Sequence, residues 1–430
     1  MALLLDLTPL RASPPFRRLV IGLGVSNLGS QLTVVAVGLQ VYAITGSTLS
    51  VGVLGICALV PLVLLGLYGG ALVDAYDRRR VALASSLGLW VVTMALALQA
   101  WLHVDSVLLL YALVAVQSAG FAINNPARTS IIPRLVEPRM LPAANVLTTI
   151  ETNVALTVGP LLGALLVAVW DFGPAYTVDA LLFTFALWAL WRLPDLPPLT
   201  ADGSAPERGS RRGFASIVEG LHYLATRPNV RMTFVVDIIA MVFAMPRVLF
   251  PAVGVLFLGG GATTTGLLSA AYAIGAVLAG VFSGGLVGLR HQGQVITGSI
   301  LAFGASVAAF GVVLVVVGRD QPAQVLVGAL VVAMVFLALA GGSDAVSSVF
   351  RQTILQSATP DHMRGRLQGV FIVVVAGGPR LGDLVLGAES SWVGEGWAAV
   401  VGGLTCMVVL TLVVGLQRRF LRYDALAPTP

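Results

Sequence analysis

The sequence predicts an all-α polytopic membrane protein: twelve transmembrane helices in two parallel six-helix halves. Three observations carry this. The 430 residues are 57% hydrophobic and only 10% charged, with a mean hydropathy of +0.93, whereas soluble domains hold about 25% charged residues. Apolar windows that suit a span of about 20 residues recur twelve times. Features of the first half return, in the same direction, in the second. Composition alone excludes a soluble multidomain enzyme.

The windows fall at 19–44, 50–72, 81–101, 106–124, 142–170, 174–193, 229–258, 264–289, 294–317, 322–345, 367–388 and 393–416. A stretch rich in Pro, Gly, Ser and Arg splits them six and six. The chain therefore divides into an N-terminal half (1–193), a cytoplasmic linker (194–228) and a C-terminal half (229–430). In the linker, Phe214, Ile217, Val218, Leu221 and Leu224 keep helical apolar spacing. An amphipathic helix over 214–226, lying on the cytoplasmic face, is expected.

Orientation follows from arginine, which supplies all 25 basic residues. With the N-terminus inside, 22 of the 25 fall on the cytoplasmic side; Arg319 alone falls outside, and Arg247 and Arg380 lie within spans. Positive charge stays inside, so both termini are expected to be cytoplasmic in a multi-pass protein of the cell membrane. The net charge of +5 thus marks membrane-flanking loops, and no nucleic-acid partner is expected. Cys57 and Cys406 sit in apolar runs without disulfide or metal spacing. Without a lysine there is no phosphate-loop motif. No enzyme activity, cofactor or metal is expected.

The halves repeat at an offset of 215–223 residues. Arg128-Thr-Ser-Ile-Ile-Pro leads to Met140, and Arg351-Gln-Thr-Ile-Leu-Gln leads to Met363. Gly159-Pro160 with Gly163 returns as Gly378-Pro379 with Gly382, and Gly69-Gly70 as Gly284-Gly285. Parallel repeats of this kind typify one large transporter class.

Between spans 2 and 3 the chain reads Gly69-Gly-Ala-Leu-Val-Asp74-Ala-Tyr-Asp77-Arg-Arg-Arg80. This resembles the loop signature of the major facilitator superfamily, Gly-x-x-x-Asp-Arg-x-Gly-Arg-Arg. It departs from it at Ala75, where a basic residue is usual, and at Asp77, in place of glycine. The resemblance implies a gate in which Asp74, Asp77, Arg78 and Arg79 pair across the halves. Arg128, Asp344, Arg351 and Arg366 are further gate candidates on the inner side. The matching second-half loop, Gly288-Leu-Arg-His-Gln, has no aspartate, so a symmetric relay is not expected. Gly159, Pro160 and Gly163 in span 5 resemble the antiporter motif of exporters in that superfamily. At longer range, Leu3-Leu-Leu-Asp-Leu-Thr-Pro-Leu-Arg, Arg247-Val-Leu-Phe-Pro251 and Thr353-Ile-Leu-Gln356 are similar to the enterobactin exporter group. That resemblance implies proton-driven export of a catecholate siderophore. A drug or macrolide exporter of the same fold, or an uptake symporter, are the alternatives.

Charges inside a membrane are functional candidates by default. Glu151 falls mid-span, near Thr148 and Thr152, and is the first candidate for proton exchange; Asp383 and Asp237 are the others. Asn27, Gln31 and Gln117 are candidates for lining the substrate cavity from the first half, and Arg247 and Arg380 from the second. Arg247, Asp383 and Arg380 are expected to cluster with one net positive charge, suited to an anionic headgroup. Asp237 and Asp344 are expected near inner arginines such as Arg351 or Arg366, and Asp179 reads as a helix cap or a snorkelling side chain. The expected partners are a small-molecule substrate, protons and the bilayer, with the transporter a monomer.

Overall fold

Among the described residues the apolar windows fold as helices, with one interruption in the window at 229–258, because backbone polar groups in hydrocarbon must be satisfied within the segment. The computed structural model describes residues 7–196, 222–282, 289–359 and 361–426. Side chains are described there except at 67–71, 73–75, 138, 142, 281–282, 356, 361–366, 368–373 and 376. After a one-turn helix at Thr8–Ala12, the long helices are α1 (Pro14–Thr45), α2 (Thr48–Ala75), α3 (Arg78–Trp101), α4 (Val107–Leu135), α5 (Leu141–Trp170) and α6 (Phe172–Trp191). The second six are α7 (Pro228–Ala244), α8 (Gly261–Phe282), α9 (Gln292–Val317), α10 (Val327–Ser357), α11 (Asp361–Val393) and α12 (Glu395–Leu416). Among the described residues, eleven helices are long and apolar enough to cross a membrane. The remaining one, α11, is 33 residues long, about 50 Å at 1.5 Å per residue, and carries Arg380, Asp383 and Glu389.

The chain forms two compact units, 1–40 with 57–213 and 41–56 with 214–430. In the first, Phe16 and Leu19 of α1 pack with Ala127, Ile131 and Ile132 of α4, Leu147 of α5 and Leu190 of α6. This cluster explains why α4 outruns its window. Hydropathy falls at Asn124-Asn125-Pro126, yet Ile131 and Ile132 still have a core to enter, so the helix continues to Leu135 despite Pro126 and Pro133. Similarly, α10 continues to Ser357. Arg128 and Arg351, expected in loops, are therefore helical and buried, at 6% and 3% exposure.

The window at 229–258 is not one helix. Met245 is extended (φ −78°, ψ 103°), and a 3₁₀ turn at Pro246–Leu249 follows, then Phe250–Ala252 and a π-turn at Val253–Phe257. Pro246 removes a donor and disfavours helical geometry at the residue before it. The break places Arg247 at a bend.

The repeated Gly-Pro-x-x-Gly segments do the same work in each unit. A Cβ on Gly163 would lie 2.6 Å from the Leu32 carbonyl oxygen, and one on Gly159 2.5 Å from Gln31 Cβ, so α5 rests directly on α1. Gly378 and Gly382 likewise bring α11 against Met241 of α7. Small residues let membrane helices approach this closely. Gly163→Leu is expected to prevent assembly of the first unit, read as loss of the monodisperse peak in detergent chromatography.

Of the expected linker helix, 214–221 lie outside the described residues; 222–226 are helical and Leu224 is buried. Gly284-Gly285 also lie outside them.

Candidate functional site

In the first unit a pocket of about 280 Å³ opens among α1, α3, α4, α5 and α6. Glu151 enters it from α5, and Gly24 on α1 makes the room, since a Cβ there would lie 2.8 Å from Glu151 Cγ. Asn27, one turn along α1, donates from Nδ2 to Glu151 Oε1 at 2.8 Å. Arg128 faces the same pocket from α4. Its Nη1 donates to Ser26 Oγ at 3.0 Å and its Nη2 to Ser86 Oγ at 3.1 Å. The guanidinium lies 5.6 Å from the Phe183 ring centroid, a cation–π distance. Its Nε has no hydrogen-bond partner among the described residues. Asn124 completes the polar wall by donating to Ser86 Oγ at 2.7 Å and Ser85 Oγ at 2.9 Å. Thr148 and Thr152 line the pocket. Gln31 instead packs beneath Gly159, and neither Gln31 nor Gln117 lines this pocket.

The pocket therefore joins one carboxylate and one guanidinium to carboxamides, hydroxyls, Phe121 and Phe183, and the aliphatic side chains of Leu23, Leu89 and Ile132. The two charges cancel. Such a lining suits an uncharged, hydrogen-bonding aromatic molecule better than an anion.

Arg351 occupies in the second unit the repeat position of Arg128, with different neighbours. It pairs with Asp237 of α7 and, through Nη2, with Asp344 Oδ1 at 3.4 Å. Tyr272 of α8 donates to Asp344 Oδ2 at 3.1 Å. Asp237 and Asp344 thus both meet Arg351 inside one unit, with Arg351 and Asp237 buried and Asp344 partly exposed. The loop placement expected of Arg351 is corrected: it lies in the last two turns of α10 and is buried. The side chain of Arg366 lies outside the described set.

Further along α11, Asp383 Oδ2 accepts from Arg247 Nη2 at 3.0 Å, with Arg380 one turn away. The Arg247 side chain is 44% exposed, so the bend in α7 presents it to open space.

The side chain of Asp74 lies outside the described set. Asp77 caps α3, its Oδ1 accepting from the Arg80 N–H at 3.0 Å and its Oδ2 from the Leu196 N–H at 2.8 Å. Arg78 Nη1 donates to the Ser130 carbonyl at 3.0 Å, and Arg79 to Asp195 and to the Trp191 carbonyl. The glycine-to-aspartate departure has a physical use: an aspartate at that position closes the first turn of α3. These partners all lie in the first unit and tie the start of α3 to the ends of α4 and α6.

Two further buried polar groups stand apart from the pocket. Asp179 is neither a cap nor snorkelling: it is fully buried and accepts from Thr33 Oγ1 at 2.5 Å, with Gly29 leaving it room. The aspartate that caps α6 is Asp171, which accepts from the Phe172 N–H. Gln40 and Gln99 exchange amide hydrogen bonds at 3.2 and 3.0 Å, and Tyr176 donates to Gln40.

Residues 5–429 match the family model described as transmembrane secretion effector. The chain belongs to that family and is a multi-pass membrane transporter, not an enzyme. Among characterised relatives it is similar to the enterobactin exporter EntS of Shigella boydii, at 29% identity, and of Citrobacter koseri, at 27%. Each alignment covers 97% of this chain and 96% of the relative. Family and relatives together define an exporter. Among solved structures, the nucleoside transporter NupG superposes with a TM-score of 0.74 at 12% identity, covering 94% of this chain and 99% of that one. The POT family transporter PepTSo gives 0.72 at 12%, covering 96% and 99%. These likenesses establish the major facilitator fold.

Proposed function

We propose that the protein is a proton-coupled antiporter exporting a small phenolic molecule of the catecholate-siderophore kind. The observation that carries this is Glu151 facing Arg128 across a pocket whose other lining residues are carboxamides, hydroxyls, Phe121 and Phe183, and the aliphatic Leu23, Leu89 and Ile132. An ionised Glu151, held by Asn27 at Oε1, offers Oε2 to a phenolic O–H. Hydrogen bonds to a charged acceptor are the stronger kind. Protonation removes that charge and turns an acceptor into a donor, so proton and substrate compete for one carboxyl. Competition is what antiport requires. The names of the relatives favour a siderophore, and the net positive charge of Arg247, Asp383 and Arg380 disfavours cationic drugs. Asp237, already paired with Arg351, is the weakest of the three proton candidates, and Asp383 the reserve. In this reading both termini are cytoplasmic, on the side holding 22 of the 25 arginines, and the two halves alternately open the pocket to either side.

Metabolite analysis of a deletion strain under iron limitation tests the substrate. Build-up of a catecholate inside the cells, reversed by the intact gene, is expected. Normal secretion with altered macrolide sensitivity would reject the siderophore.

A further inference from the structure

Beyond α12 the chain reads Gln417-Arg-Arg-Phe-Leu-Arg-Tyr-Asp424, and it is pinned to the second unit. Phe420 is fully buried and Tyr423 nearly so. The Phe420 carbonyl lies so close to Gly293, at the start of α9, that no Cβ would fit there. Arg290 donates from Nε and Nη2 to Asp424 Oδ2 at 2.8 and 2.6 Å, and the Ala425 N–H donates to the Arg290 carbonyl at 3.0 Å. The Arg290 guanidinium holds the Asp424 carboxyl below the usual carboxylate range, so the clasp stays charged at neutral pH.

This platform forms the mouth of a groove of about 560 Å³ between α9 and α12. By position along α9 and α12, Arg418, Arg422 and Gln294 line the mouth; Thr297, Val414 and Gly415 follow; Leu301 and Thr411 lie furthest in. Seven residues of α9 separate Gln294 from Leu301, about 10 Å of helix. Polarity therefore falls along the groove, from two guanidinium groups to an inner end of Leu301 and Thr411, whose hydroxyl is already bonded to the Met407 carbonyl. Arg418 and Arg422 are both exposed, and neither has an ion-pair partner among the described residues, whereas Arg290 beside them is neutralised by Asp424. A Cβ on Gly415 would meet nothing within 4 Å, so the groove is open at mid-length.

The geometry points to a site for an anionic phospholipid, its phosphate held by Arg418 and Arg422 and one acyl chain laid along Val414 and Leu301. Guanidinium forks match phosphate oxygens, and basic pockets between membrane helices take such headgroups. Inorganic phosphate would use only the mouth and leave the apolar end unfilled. The site is separate from the Glu151 pocket and does not depend on the substrate.

Native mass spectrometry of the full chain, released from detergent containing phosphatidylglycerol and phosphatidylcholine, tests this. The wild type is expected to retain phosphatidylglycerol selectively. Joint Arg418→Gln and Arg422→Gln substitution is expected to weaken retention about thirtyfold, on the scale of two basic contacts. Gly415→Trp, which fills the groove and keeps both arginines, is expected to weaken it comparably. Undiminished retention in the arginine variant would overturn the proposal. So would a loss that Gly415→Trp does not share, which would leave a site for phosphate alone.

Discussion

Glu151→Gln is expected to uncouple transport from the proton gradient while leaving the protein folded. The substitution is isosteric, and the glutamine carbonyl can still accept from Asn27 Nδ2, which holds Glu151 at 2.8 Å. What disappears is the charge facing Arg128 and the capacity to exchange a proton. A hydrogen bond to a charged group contributes about 1.5–3 kcal/mol, so affinity at alkaline pH should fall roughly ten- to hundredfold. The sign is definite. In the wild type, binding weakens as pH falls and Glu151 takes up a proton; in the variant it should be flat across that range. Efflux from vesicles with an imposed pH gradient reads the transport consequence. Unchanged pH dependence would move the proton site to Asp383.

Arg351→Leu is expected to destabilise the second unit more than any single change in the pocket. It removes the guanidinium that Asp237 and Asp344 share and strands the Asp237 carboxylate, 3% exposed, while Asp344 keeps its bond from Tyr272. Breaking a buried pair from one side costs about 3–5 kcal/mol. Arg128→Leu at the equivalent repeat position should cost less. Its direct partners are Ser26 and Ser86; Ser26 retains a bond to the Leu23 carbonyl and Ser86 one from Asn124. Thermal unfolding of the purified variants compares them, and equal losses would contradict this ranking. The contrast lies in the surroundings: Arg351 is held by two aspartates, whereas Arg128 faces a pocket that also holds Glu151.

The helices were legible because a span is a local property: twenty apolar residues leave the backbone no alternative to helix. Glu151 was legible because a carboxyl in such a run is costly and therefore conspicuous. Arg128 was misplaced for the same reason, because hydropathy ends at Asn124 while the helix does not. Its extension depends on Phe16 and Leu19 more than 100 residues away in sequence. Asp179 was misread because its burial depends on Thr33 and Gly29 of another helix. The break in α7 had a local signal in Pro246, which a hydropathy window averages away.

The central claim, that substrate and proton compete for Glu151, is tested most directly by proton exchange in weakly buffered solution as a catecholate siderophore is added to the purified protein. On binding, the wild type at mildly acidic pH should release protons and Glu151→Gln should release none. Binding without proton release, or with proton uptake, would contradict antiport at this carboxyl.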